Sequence, residues 1–353
     1  MPPLDNVKTI LVRGPNWLGD AVMASPTYRA LRKTYPEASI TLLSKAPWGA
    51  LAKGTDWFDR IIDYGSRGKH PGFLGSTKLG VELRANKFDL ALVLPNSFSS
   101  AFMAFISGSR KRVGYQRDGR TFLLTDSMPR PSENGKFKPT YMGQYYLQLA
   151  KLAGVDSNDN RTGVPIMFSP ELSATSLGRI AKLMASPEER FVGISPGASF
   201  GSSKLWDPAK MASSADTLAE RLGLRVALTG APGENDMLRA VRGHLRTESI
   251  VLCDKKWDLN DVCAFVRQMD VLIATDSGTR HIAAALGVPT VVVMGPNDPR
   301  YSGSTWEKTT VVRIDIDCGP CQKKTCPTDK ECMERITPVM VVEAAEGLLK
   351  KSY

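Results

Sequence analysis

The turn Asp276-Ser277-Gly278 separates an apolar run at residues 271–274 from a stretch of Ala and Leu that ends at Gly287. A second apolar run follows at residues 290–294, which completes a strand, polar turn, helix, strand unit of the parallel type. In such units ligands sit at the carboxyl ends of strands, and N–H groups opening a helix suit an anion. Helix capping by Asp276 and Ser277 is the plainer use of the same residues. Three more polar loops follow apolar runs, at residues 14–20, 196–204 and 230–234. Ser199 and the N–H groups around it could cradle a phosphate. Lys204 could neutralise its charge, and Glu234 could accept two ribose hydroxyls. Taken singly, a solvated lysine and a helix-start carboxylate explain these two as well. Asp20 follows Gly19 at a loop-to-helix junction, which suits a general base and equally an N-cap. His281, one turn beyond Gly278, is spaced to reach a phosphate or to brace the turn. The loop at 14–19 lacks the Gly-Lys-Ser/Thr ending of an ATPase phosphate loop and is not a G-x-G-x-x-G fingerprint.

Six cysteines fall into two groups. Cys253 and Cys263 lie in apolar surroundings and read as core thiols. Cys318, Cys321, Cys326 and Cys332 are clustered, and three readings stay open: four thiolates closing a tetrahedral zinc site, a disulfide pair, or free thiols pinning a loop. The last two spacings are not a second C-x-x-C, which counts against the metal. Asp315-Ile316-Asp317 has the form of a metal-binding Asp-x-Asp, but it adjoins the cysteines rather than a strand end. With three histidines in the chain, a histidine-rich metal site is not expected.

The elements that must carry these residues alternate in type. In the first half, strands are expected at residues 9–13, 39–44, 60–63 and 89–94, with an edge strand at 111–115. Helical patterns fall at 21–35, broken near Pro26, and at 76–86, 98–106 and 141–153. Residues 154–165 read as a linker. The rhythm then restarts with strands at 191–195, 225–229 and 250–252. Helices begin at Asp207-Pro208 and at Leu259, and a terminal helix spans 338–350 with Thr337 as its cap. A chain of 353 residues with this pattern is expected to form two doubly wound α/β domains.

The net charge is +10, and half of it lies between Arg110 and Lys138, where eight Lys or Arg face three acids. Such a stretch draws anionic partners: nucleic acid, acidic headgroups or phosphorylated sugars. The N-terminal residues lack a signal-peptide pattern, and no apolar run is long enough to cross a bilayer. The expectation is a cytoplasmic protein that touches a membrane surface.

Several of these residues together carry a resemblance. Ile10-Leu11-Val12-Arg13-Gly14-Pro15-Asn16-Trp17-Leu18-Gly19-Asp20, Ser195-Pro196-Gly197-Ala198 with Lys204-x-Trp206, and Asp276-Ser277-Gly278-x-x-His281 with Gly295-Pro296 resemble the ADP-heptose:lipopolysaccharide heptosyltransferases of glycosyltransferase family 9. The Gly-Pro-x-Trp-x-Gly-Asp form is most like the heptosyltransferase II branch. Arg13 and the cysteine cluster depart from that branch's enterobacterial form. The resemblance implies a GT-B fold of two facing Rossmann-like domains. An acceptor domain would span 1–160 and a nucleotide-sugar domain 161–337, with a helix at 338–353 packing back towards the first. It implies inverting transfer of heptose from ADP-heptose to heptosyl-Kdo2-lipid A at the inner face of the cytoplasmic membrane. No cofactor would be required beyond a structural zinc at the cysteines, if one is held. Asp20 would be the base. Ser199, Lys204, Glu234, Trp257, Asp276, Ser277, Gly278 and His281 would hold the donor, and Asn16, Trp17, Arg112, Arg117 and Arg120 the acceptor. The alternatives are a related glycosyltransferase with another donor or acceptor, a nucleotide-sugar epimerase, and a nucleic-acid binder. The last would have no use for acids at strand ends, so no nucleic-acid partner is expected.

Overall fold

Parallel pairing of short aliphatic strands dominates the computed structural model, which describes residues 4–45, 48–64, 70, 72–156, 170–186, 188–253, 257–303 and 307–350. The chain divides into two units between Asp156 and Pro170. The expected boundary at 160/161 falls in that interval, and most of the linker expected at 154–165 lies outside the described residues.

The first unit contains β1 (Thr9–Arg13), α1 (Leu18–Met23), α2 (Ser25–Thr34), β2 (Ser39–Lys45), α3 (Gly49–Ala52) and β3 (Arg60–Tyr64). It continues with α4 (Gly72–Leu83), β4 (Leu90–Val93), α5 (Phe98–Ile106), β5 (Lys111–Gln116) and β6 (Asp126–Pro129). A small hairpin, β7 (Ser132–Glu133) and β8 (Lys136–Phe137), precedes α6 (Met142–Ala150). The sheet order is β3-β2-β1-β4-β5-β6, and every neighbouring pair is parallel. β1 and β4 are buried on both faces, which is why they read as continuous apolar runs.

The second unit contains α7 (Pro170–Ala181), β9 (Phe191–Ser195), α8 (Pro208–Leu222), β10 (Arg225–Thr229), α9 (Asn235–His244), β11 (Ser249–Leu252) and α10 (Leu259–Val266). Then come β12 (Met269–Thr275), α11 (Gly278–Ala285), β13 (Thr290–Val293), β14 (Thr309–Val312), α12 (Glu331–Glu334) and α13 (Pro338–Lys350). Its order, β11-β10-β9-β12-β13-β14, repeats that of the first sheet, again all parallel. Side chains alternate across it. Val192, Ile194, Val271 and Ile273 pack towards α8 and α13, while Phe191, Leu272 and Ala274 pack towards α10 and α11. In both sheets the chain reverses direction of winding beside the first strand of the unit, between β1 and β4 and between β9 and β12. A crevice opens at the carboxyl ends of such strand pairs.

One sequence expectation needs correction. Residues 111–115 do not form an edge, because β5 lies between β4 and β6. Arg112 spends its guanidinium on the carbonyls of Leu123 and Ser109, both at 2.7 Å, and Val113 and Tyr115 are buried. The helical stretch at 21–35, expected to break near Pro26, is two helices that meet at Ala24, with Pro26 in the first turn of the second, where its missing N–H costs nothing. The terminal helix, α13, packs on α8, β13 and β14 and buries Val341, Val342 and Ala345 in the core of the second unit.

A charge on that buried face should be poorly tolerated. Val341→Asp is expected to destabilise the second unit by about 3 kcal/mol or more, read as a lowered Tm by circular dichroism, whereas the same change at exposed Val339 should leave the Tm nearly unaltered.

Candidate active site

The loop after β9 is shaped by contacts that only small residues permit. A Cβ on Gly197 would fall 1.9–2.1 Å from the carboxyl atoms of Glu234, so glycine is what lets that carboxylate lie across the loop. Glu234 opens the way into α9, and its Oε2 accepts the Ala231 N–H at 2.8 Å. Burial raises its pKa above the usual 4.5, opposed in part by that hydrogen bond. Thr275 Oγ1, at the end of β12, donates to the Gly197 carbonyl and ties the two strand ends together.

Lys204 enters from a single helical turn at Ser202–Lys204, and its side chain is largely buried. Its ammonium donates to Asp276 Oδ2 at 2.9 Å and to the Asp276 carbonyl at 3.1 Å. Asp276 also accepts from Asn297 Nδ2 and, through Oδ1, from Arg280 Nε at 3.3 Å. Arg280 lies one turn along α11 and is fully buried, with its other nitrogens on Glu307 at 3.4 Å and the Ser302 carbonyl at 2.7 Å. Burial alone would raise the pKa of Asp276, but Arg280 and Lys204 overcome it and hold the carboxyl well below the carboxylate range. His281 is also buried. Desolvation, then the charge of Arg280, push its pKa well below 6.5, so it is a neutral imidazole at pH 7.

Ser277 is the N-cap of α11, yet its side chain makes no capping bond, and its Oγ is buried without a hydrogen-bond partner. A hydroxyl in that position waits for a ligand atom or a water. Together with the Lys204 ammonium and the first N–H groups of α11, it could receive an anion at the β9/β12 switch point. Ser199 is exposed on the same loop as Phe200, whose ring centroid lies 4.8 Å from Lys204 Nζ. The Arg179 guanidinium stacks 4.9 Å over the ring of Trp257.

In the first unit, Asp20 sits in the first turn of α1 and is partly buried. The Tyr146 hydroxyl donates to its Oδ1 at 3.0 Å. Burial first, then the charge of Asp20, raise the Tyr146 pKa well above 10, so that hydroxyl keeps its proton and remains a fixed donor. The loop leading to Asp20 is pinned by Trp48 Nε1 on the Pro15 carbonyl at 3.0 Å. Arg13 is buried beneath it, donating to Asn16 Oδ1 at 2.6 Å and to the Gly14 carbonyl, with its guanidinium 4.6 Å over Tyr64. Burial lowers its pKa to about 9. Asn16 thus takes part in the loop's scaffold, and both it and Trp17 are exposed.

Of the three arginines expected at an acceptor, only Arg117 stands open, beside Asp118 at 3.2 Å. Arg112 holds carbonyls, as described above. Arg120 is fully buried, donating to the carbonyls of Tyr115, Pro95 and Ser97. It is a structural residue at the carboxyl edge of β4 and β5, not a surface contact. Cys318, Cys321, Cys326 and Cys332 are free thiols, and among the described residues no three His, Cys, Asp or Glu are arranged to hold a metal ion. Burial and the other three thiols raise Cys332, while Thr328 lowers Cys326. Arg280, Asn297 and Tyr146 escaped sequence reasoning. Arg280 had a usable signal, its four-residue spacing from Asp276; Asn297 meets Asp276 across 21 residues, and Tyr146 meets Asp20 across 126.

Gly197→Ala should force Glu234 out of its place. The expected loss is about 1–3 kcal/mol of stability, seen as a lowered Tm, and a full-strength Tm would show that the loop yields instead.

The family model described as glycosyltransferase family 9 (heptosyltransferase) matches residues 76–331. Lipooligosaccharide heptosyltransferase 2 of Haemophilus ducreyi is 30% identical over 357 residues, covering 96% of this chain and 99% of that protein. Lipopolysaccharide heptosyltransferase 2 of Escherichia coli K12 is 28% identical over 348 residues, covering 96% and 98%. Among solved structures, ADP-heptose LPS heptosyltransferase II of E. coli superposes with a TM-score of 0.76 at 26% identity, covering 98% of this chain and 99% of that one. The two Rossmann-like units are those of a GT-B glycosyltransferase. This chain belongs to glycosyltransferase family 9, the heptosyltransferases.

Proposed function

We propose that this enzyme is an inverting heptosyltransferase that moves L-glycero-D-manno-heptose from ADP-heptose to the heptosyl-Kdo2-lipid A inner core of lipopolysaccharide. The observation that carries the donor half of this reading is the Lys204–Asp276 pair at the β9/β12 switch point, with the unpartnered Ser277 hydroxyl beside it. In this reading the diphosphate lies against Lys204, Ser199 and the N–H groups of Ser277 and Gly278. Glu234 accepts the ribose hydroxyls, and His281 braces the turn from below as a neutral donor or acceptor. Asp276, kept ionised by its cations, accepts from heptose hydroxyls. Trp257 borders the adenine.

For the chemical step, Asp20 takes the proton from the attacking acceptor hydroxyl as the new bond forms at the anomeric carbon. The bond to the diphosphate breaks on the opposite face, and the charge growing on ADP is met by Lys204 and the α11 N–H groups, without a bound metal. Tyr146 supports this assignment of Asp20, since its hydrogen bond to Oδ1 fixes the orientation of the carboxylate. The full-length likeness to heptosyltransferase 2 proteins favours an acceptor that already carries a first heptose. Asn16, Trp17 and Arg117, all exposed in the first unit, would meet it.

The reading also places the enzyme in the cytoplasm, against the inner face of the membrane. Phe98, Phe105 and Phe122 are exposed at 40%, 46% and 73%. Phe98 stacks on Phe102 and meets Phe122 at 6.1 Å, and Arg112 lies 5.4 Å over Phe105, with Arg110 and Arg117 exposed nearby in sequence. Exposed aromatic rings fringed by arginine suit an anionic lipid surface.

Product mass after incubation with ADP-heptose and either Kdo2-lipid A or heptosyl-Kdo2-lipid A tests the function. Addition of one heptose to the second acceptor is expected; transfer only from another nucleotide sugar would replace this reading by the related-glycosyltransferase alternative. Asp20→Ala should lower kcat by about a thousandfold and leave the Kd for ADP unaltered. Replacing Phe98 and Phe122 together by Ser should weaken sedimentation with phosphatidylglycerol vesicles by about tenfold, and undiminished sedimentation would remove the aromatic surface from the account.

A further inference from the structure

The segment between β14 and α12 carries three of the clustered cysteines, and the donor reading gives it no role. Its middle returns to the strand ends of the second sheet. Gln322 N–H donates to the Pro296 carbonyl at 2.9 Å, behind β13. Two residues on, the Lys324 carbonyl accepts from the Ser203 N–H at 3.1 Å, and the Lys323 carbonyl accepts from Ser203 Oγ at 2.5 Å. A Cβ on Gly201 would fall 2.2 Å from the Lys324 carbonyl oxygen, so glycine admits the approach. Because β12 lies between β9 and β13, these tethers run from one side of the Asp276 turn to the other. One end adjoins Lys204 and the other adjoins Asn297, the two residues that share Asp276 Oδ2.

We infer that Lys324 is a second donor-binding cation, acting with Lys204 on the diphosphate of the nucleotide sugar, and that Ser203 is the residue that positions it. The inference rests on the donor reading above. The Phe200 ring gives the geometry: Lys204 Nζ is 4.8 Å from its centroid and Lys324 Nζ is 5.9 Å from it. Two ammonium groups are therefore gathered around one side chain of the phosphate loop. Lys204 is already paired, whereas Lys324 has no ion-pair partner among the described residues. Lys204 and Arg280 face Asp276 and Glu307, the Glu234 carboxylate lies at Gly197, and Lys324 adds a positive charge at Phe200. A diphosphate presents oxygens on more than one side, so two cations reaching it from different loops hold it better than one. The cysteine segment then has a role that needs no metal: it delivers a charge.

Calorimetric titration with ADP tests this on the full chain. Lys324 is exposed, so its substitution should not disturb folding. Lys324→Ala is expected to weaken ADP binding by roughly tenfold and to raise the KM for ADP-heptose more than it lowers kcat, with Lys324→Arg restoring most of the loss. Ser203→Ala should weaken ADP binding in the parent enzyme and add little in the Lys324→Ala background, whereas independent losses would mark Ser203 as merely structural. Unchanged ADP affinity in Lys324→Ala, with Lys204→Ala impaired, would overturn the inference and keep the donor site. If neither substitution weakens ADP, the donor site itself is misplaced and the inference fails with it.

Discussion

An ionised aspartate in a nearly dry place is the constraint on which the second unit's site depends. Asp276 cannot be buried as an anion without cations at hand, since an isolated buried charge costs several kcal/mol. Arg280 supplies one from the next turn of the same helix, and Lys204 supplies another from the loop after β9. Each cation is in turn confined by the carboxylate. Lys204 is held at the switch point with one N–H still to offer, and Arg280 is anchored through Glu307 and Ser302. The charged set is thus preorganised before any ligand arrives, which is what transition-state stabilisation by fixed charges needs.

The first unit solves a related problem by other means. Asp20 is only partly buried, and the neutral phenol of Tyr146 helps to fix its carboxylate. Arg13 is close in sequence, and its guanidinium is turned to Gly14, Asn16 and the face of Tyr64. That charge supports the loop that leads to Asp20.

Much of the fold could be read from local pattern, because a parallel strand buried on both faces is a run of aliphatic residues and little else. Ile10, Leu11, Val12 and Val291–Val293 are of this kind. One rim strand of each sheet escaped detection, while β3 and β11 at the opposite rims were expected. Asp126–Pro129 and Thr309–Val312 are polar or mixed, and they are strands because β5 and β13 offer them a ladder. The site was legible as separate loops, each a cluster of small and polar residues behind an apolar run. The pairing of Lys204 with Asp276 was not, since residues 72 apart in sequence meet only through the adjacency of β9 and β12. Arg120 shows the opposite error. In a run of basic residues it reads as surface, but three carbonyls from separate turns enclose it.

The tethers between the cysteine segment and the strand-end loops run through main-chain atoms: the carbonyls of Pro296, Lys323 and Lys324 and the amides of Gln322 and Ser203. Bonds of that kind make no demand on the side chains of the residues that provide them. Positions 322, 323 and 324 are consequently interchangeable as far as the crossing itself is concerned. Length, polarity or sign can be altered there without loosening the frame beneath, so the charge this short stretch brings can change while the rest of the pocket stays as it is.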